Sequence, residues 1–172
     1  TSHYHHVERR IASTAALGQG AQIQIEFDPS YQELAMHKVE IVRQAQRIDK
    51  LDVRRVQLLQ RETQLEARIY DGRITASMVL DDVRAGDRIE YSYTVRGSNP
   101  VFDGKFVFIK PVGTASGPVS LRQLRVVYPT SRTLQFRVPK MVQVEQRNDG
   151  GRQELLLRQN NVPQSTFESH AP

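Results

Sequence analysis

Apolar residues fall on every second position through most of this chain, the spacing of strands with one buried face. Ala21, Ile23, Ile25 and Phe27 alternate with Gln22, Gln24 and Glu26. Asp28-Pro29-Ser30 then reads as a turn, because proline presets φ and the Asp side chain can accept from the backbone two residues on. In YQELAMHKVEIVR, Leu34 and Met36 sit on one parity and Val39 and Ile41 on the other. A switch of parity within one strand predicts a bulge near His37 and Lys38.

Further strands are predicted at HYHHVERRIAS, ITASMVL, RIEYSYTV, KFVFIKP, LRQLRVVYP, TLQFRV, KMVQVEQ and RQELLLRQ. VRRVQLLQR suits strand or helix. Leu65 and Ile69, four apart with Gly72 as a stop, predict a short helix over residues 62–72. NDGG at 148–151 is a strong hairpin signal. The closing VPQSTFESHAP has no periodicity. The expected fold is mainly β, an antiparallel β-sandwich with one short helix. One domain is expected over residues 1–160, and 161–172 reads as a linker.

Composition narrows the chemistry. The chain has 172 residues, no cysteine and a net charge of +5. Without cysteine there are no disulfides, thiolate metal sites or cysteine nucleophiles. No apolar run approaches the roughly 20 residues of a membrane-spanning helix. The chain begins at Thr1 rather than Met, which reads as a processed or trimmed terminus and keeps export open. Of 24 basic residues, 19 are arginine, a side chain suited to phosphate and carboxylate. They are scattered among acids, as on a solvated face rather than a nucleic-acid stripe.

LDDVRAGDRIE carries four acids, Asp81, Asp82, Asp87 and Glu90, close enough to suggest a metal or acid–base site. Their spacing does not fit a calcium loop, which needs alternating oxygens and a twelfth-position glutamate. Asp87 belongs to an Ala-Gly-Asp turn. Glu90 falls opposite the apolar parity of Ile89, Tyr91, Tyr93 and Val95. The acids therefore read as turn and strand punctuation.

The same stretch carries a resemblance. Tyr70-Asp71-Gly72, Thr75, Leu80-Asp81-Asp82-Val83, Gly86-Asp87, Ile89-Glu90-Tyr91, Tyr93 and Gly97-Ser98-Asn99-Pro100 resemble the N-terminal β domain of bacterial transglutaminase-like proteins. In that family a domain of unknown function precedes a papain-like transglutaminase core. The resemblance implies a periplasmic or cell-envelope location and an accessory role beside a Cys-His-Asp core. It supplies no catalytic residue here, since this chain lacks cysteine.

Other candidates are weaker. His3 and His5 share one strand face, a pair that His37 or His170 would have to complete as a metal site. No nucleophile elbow is present, and the glycine turns at 18–20 and 103–106 are not phosphate loops. Phe102, Phe106, Phe108 and Tyr128 beside Lys105, Lys110 and Arg125 suit a nucleic-acid stacking face, though aromatics at period two more often form core. The loop Asn99, Pro100, Val101, Phe102 and Asp103 puts two apolar residues at its tip, and reads either as a loop folded back over the sheet edge or as a contact surface for a catalytic core or a second subunit.

The expectation is a non-catalytic accessory domain that packs on, or presents substrate to, a transglutaminase-like core in the same polypeptide. No catalytic residue, metal or cofactor, nucleic-acid partner or membrane span is assigned to it. The alternative is a free-standing cell-envelope binding module for carbohydrate or peptide.

Overall fold

The computed structural model describes residues 1–60, 72–109, 113 and 119–164. The chain divides into two compact units, Thr1–Val107 and Phe108–Pro172, where the sequence suggests one sandwich.

The first unit contains β1 (Ser2–Arg10), a short helix α1 (Leu17–Gly20), β2 (Gln22–Phe27), β3 (Gln32–Arg43), β4 (Gln46–Asp49), β5 (Gln57–Gln60), β6 (Ile74–Val79) and β7 (Arg88–Gly97). These strands form two antiparallel sheets, in the orders β1-β7-β3-β4 and β2-β6-β5. Alternation dictates what lies between them. Ile23, Ile25 and Phe27 of β2 and Ala76 and Met78 of β6 share one core with Val39 and Ile41 of β3 and Ile89, Tyr91 and Val95 of β7. Each such aliphatic side chain contributes about 2 kcal/mol by leaving water.

The parity switch in β3 is a bulge. Met36 pairs with Tyr93 and Lys38 with Ser92, so His37 is the extra residue. The turn at Asp28 also matches its expected chemistry, with Asp28 Oδ1 accepting from Ser30 N at 3.0 Å. Residues 53–60 resolve into both alternatives, a 3₁₀ turn at Val53–Arg55 followed by β5. β4 escapes the sequence pattern. Its turn from β3 uses Gln44 and Ala45, both at positive φ, where glycine or asparagine would have signalled a hairpin.

The second unit holds β8 (Val119–Pro129), β9 (Gln143–Asp149) and β10 (Arg152–Val162) in an antiparallel sheet of order β8-β10-β9. The NDGG hairpin joins β9 to β10. Gly150 and Gly151 both have positive φ, and Asp149 pairs with Arg152, as a two-residue primed turn requires.

Several expectations differ. Residues 105–109 and 133–138 are not strands; alternation alone does not supply a pairing partner. β10 runs to Val162, which is fully buried, so regular structure enters the segment read as linker. The expected helix over 62–72 lies almost entirely outside the described residues, and the described α-helix is α1 instead.

Candidate interaction surface: the charged face of the four-stranded sheet and the loop beyond it

β7 is buried on both sides. Ile89, Tyr91 and Val95 enter the core, while Glu90, Ser92 and Thr94 point the opposite way and are equally inaccessible. Strand register explains the second face. Glu8 of β1 stands directly opposite Glu90, Glu90 opposite Glu40 of β3, and Glu40 opposite Asp49 of β4. Four carboxylates thus cross the sheet in one row, an arrangement that repels itself unless compensated.

The neighbouring rows compensate it. Lys38 Nζ lies 2.5 Å from Glu90 Oε1, Arg47 Nη1 lies 2.8 Å from Glu90 Oε2, and His6 Nε2 lies 3.0 Å from Oε1. Arg47 also reaches Glu40 at 2.5 Å, and Arg88 approaches Glu8 at 3.5 Å. Hydrogen bonds from Lys38, then Arg47, hold the Glu90 carboxyl down to about 2 despite its burial. The same contact with Glu90 raises the Lys38 ammonium. An acid so stabilised as its anion is a poor proton acceptor and does not donate near neutrality.

The three remaining acids form a clasp where the β6–β7 connection meets β3. Asp87 is 2% exposed and takes a bidentate pair from Arg43, Nε to Oδ1 at 2.9 Å and Nη2 to Oδ2 at 2.8 Å. Its Oδ2 also accepts from Arg84 N at 2.8 Å. Arg43 reaches on to Asp82 Oδ2 at 3.1 Å and the Asp82 carbonyl at 2.5 Å. Asp81 pairs with Lys50 at 2.9 Å and Arg55 at 3.2 Å, and these hydrogen bonds lower its carboxyl to about 2. Arg43 is the first cause of the lowered carboxyls of both Asp82 and Asp87. The LDDVRAGD motif therefore pins a loop. Its partners Arg43, Lys50 and Arg55 are invisible to sequence spacing because they come from β3 and the segment after β4, up to 44 residues away.

Beyond the end of β7, Gly97 has φ +148°, and a Cβ there would run into the Tyr31 carbonyl oxygen. Only glycine fits this close approach. Asn99 Oδ1 then accepts from Val101 N at 3.0 Å and caps the 3₁₀ turn Pro100–Phe102, which ends at Asp103 in the left-handed region. The tip is presented outward: Val101 is 82% exposed and Phe102 40%.

The other candidates separate. His3 and His5 lie on the core-side face of β1, stacked against Phe106 and Tyr93, whereas His37 bonds Thr94 Oγ1 at 2.6 Å and stacks with Tyr4 on the opposite face. His170 lies outside the described residues. No group of three metal-ligating side chains is assembled among the described residues. Phe102 sits in the 3₁₀ turn, Phe106 and Phe108 in a non-strand segment and Tyr128 in β8, so these aromatics do not line up along one strand. Lys110 is not described. No described helix is long and apolar enough to cross a membrane.

A two-sheet antiparallel β unit with a charge-compensated outer face and a protruding loop is thus the class of protein in hand. The chain belongs to the family "Domain of Unknown Function with solved-structure structure (DUF3857)", whose model matches residues 1–166. Among curated proteins none matches it. Its fold is similar to the crystal structure of a "putative protease" from Parabacteroides distasonis ATCC 8503, with a TM-score of 0.72 and 16% identity. That similarity covers 99% of this chain and 34% of the other, so the chain spans about a third of the length of the protein it matches.

Proposed function

We propose that this chain is a non-catalytic accessory domain of a longer exported protein, and that it packs on or presents substrate to a transglutaminase-like hydrolytic core. The observation that carries the reading is the coverage: 99% of this chain matches only 34% of a protein described as a "putative protease", as an auxiliary module within a longer hydrolase would. The carboxylates that looked catalytic favour it too, since each is engaged by cations that keep it ionised. The exposed tip at Val101 and Phe102 is the docking element. It is held on a rigid stem by Gly97 and the Asn99 cap, so docking orders few additional bonds.

The purified chain is expected to show neither peptide hydrolysis nor acyl transfer on a protein substrate such as casein. In the full-length protein, Val101→Asp with Phe102→Ser should leave the melting temperature of this domain nearly unchanged, because both side chains are exposed. The same pair should lower kcat/KM of the core about tenfold. Turnover by the chain alone that vanishes on a single Asp or Ser substitution would sink the proposal. Fractionation of cells producing the full-length protein tests the envelope location.

A further inference from the structure

The two edges of the four-stranded sheet are built differently. On one side β3 is protected by its bulge, by Lys38 and by a short β4 of four residues, the devices that keep edge strands from pairing. On the other side β1 runs nine residues in unbroken register with β7, with no proline, lysine or bulge. Among the described residues no strand pairs with its outer edge.

Backbone parity fixes what that edge offers. Thr1 O accepts from Gly97 N, and Ile11 N donates to Asp87 O, so odd residues of β1 turn their polar groups toward β7. The N–H and C=O groups of Ser2, Tyr4, His6, Glu8 and Arg10 therefore face outward, and all five of these residues are exposed.

We propose that this edge pairs with the same edge of a second copy of the chain, antiparallel about a two-fold axis at Val7. In that register the outward residues meet as hydrogen-bonded pairs, and two of the encounters are complementary. His6 of each copy faces Glu8 of the other, and Tyr4 faces Arg10, cation against aromatic ring. Val7 meets Val7 on the core-side face. The contact is isologous and continues the two sheets into one of eight strands. β8, the long edge strand of the second unit, carries Arg122 and Arg125 but no acid, so self-pairing there lacks this charge match.

Sedimentation equilibrium over a wide concentration range tests the dimer. Tyr4→Pro deletes an outward N–H that no described strand uses, and Glu8→Arg sets cation against His6. Each should weaken self-association about tenfold or more, with far-UV circular dichroism confirming the fold. Since the chain has no cysteine, Val7→Cys gives a second, independent reading. The two thiols would face each other across a non-hydrogen-bonded pair, with Cβ atoms about 4.5–5.5 Å apart, close enough for oxidation to lock the dimer. His5→Cys, whose opposite residue is Arg9, should not cross-link. A chain monomeric at every concentration, a dimer indifferent to both Tyr4→Pro and Glu8→Arg, or equal cross-linking by the two cysteine variants overturns the proposal. So does a monomer that accepts an unrelated strand-forming peptide along β1 instead of its own copy.

Discussion

The two faces of β7 are buried to nearly the same degree by opposite means. Ile89 is 0% exposed against aliphatic neighbours from both sheets, and the adjacent Glu90 is 7% exposed beneath Lys38, Arg47 and His6. The apolar face gains by exclusion from water, which is indifferent to pH. The charged face loses hydration and recovers it only through the geometry of its partners. Burial alone therefore says nothing about what an unassigned acidic residue does. The partners decide whether it is an acid, a base or a fastening.

The comparison can be broken from either side. Ile89→Ala should cost about 3–4 kcal/mol, since the side chain leaves a cavity between two packed sheets, and the loss measured by urea unfolding should be the same at pH 7 and pH 4. Asp87→Ala should cost about 2 kcal/mol. It breaks a nearly inaccessible ion pair, but Arg43 remains partly solvated and keeps Asp82. The most informative change is Glu90→Gln. The Glu90 carboxyl is held at about 2 against an ordinary 4.5. Its contribution is thus fully present above pH 4.5 and is lost as pH falls toward 2. The variant should flatten this acid limb in part, leaving the decline caused by the other lowered carboxyls, among them Asp81, held at about 2 against 3.8, and Asp82 and Asp87. An acid limb unchanged by Glu90→Gln would mean that the charged face does not stabilise the sheet.

Much of the fold was legible because strand chemistry is local. Alternation located β2, β6 and β7, the NDGG signal located the β9–β10 hairpin, and the change of parity after Met36 located the bulge. The orientation of Glu90 away from the apolar face followed from the same rule. Its burial did not, because burial on that face depends on Lys38 and Arg47, which only strand register brings to it. β4 was missed for want of a glycine in its turn. The extended-looking segments around Phe106 and Phe136 were over-read, since period two describes a strand's faces but not the neighbour that would pair with it. That the loop of residues 99–103 carries Val101 and Phe102 at its tip was legible; its support, the close contact of Gly97 with Tyr31, was not.

The bulge in β3 also makes the chain tolerant of a change in length at one place. Remove His37 and Leu34, Met36, Val39 and Ile41 fall into uninterrupted alternation, with Lys38 and Glu40 still on the charged side. Remove a residue between Lys38 and Ile41 instead, and part of the apolar set changes sides. Insertions and deletions that preserve the sheet should therefore gather at this one position, leaving strand length free to vary there while the order of charges beyond it stays fixed.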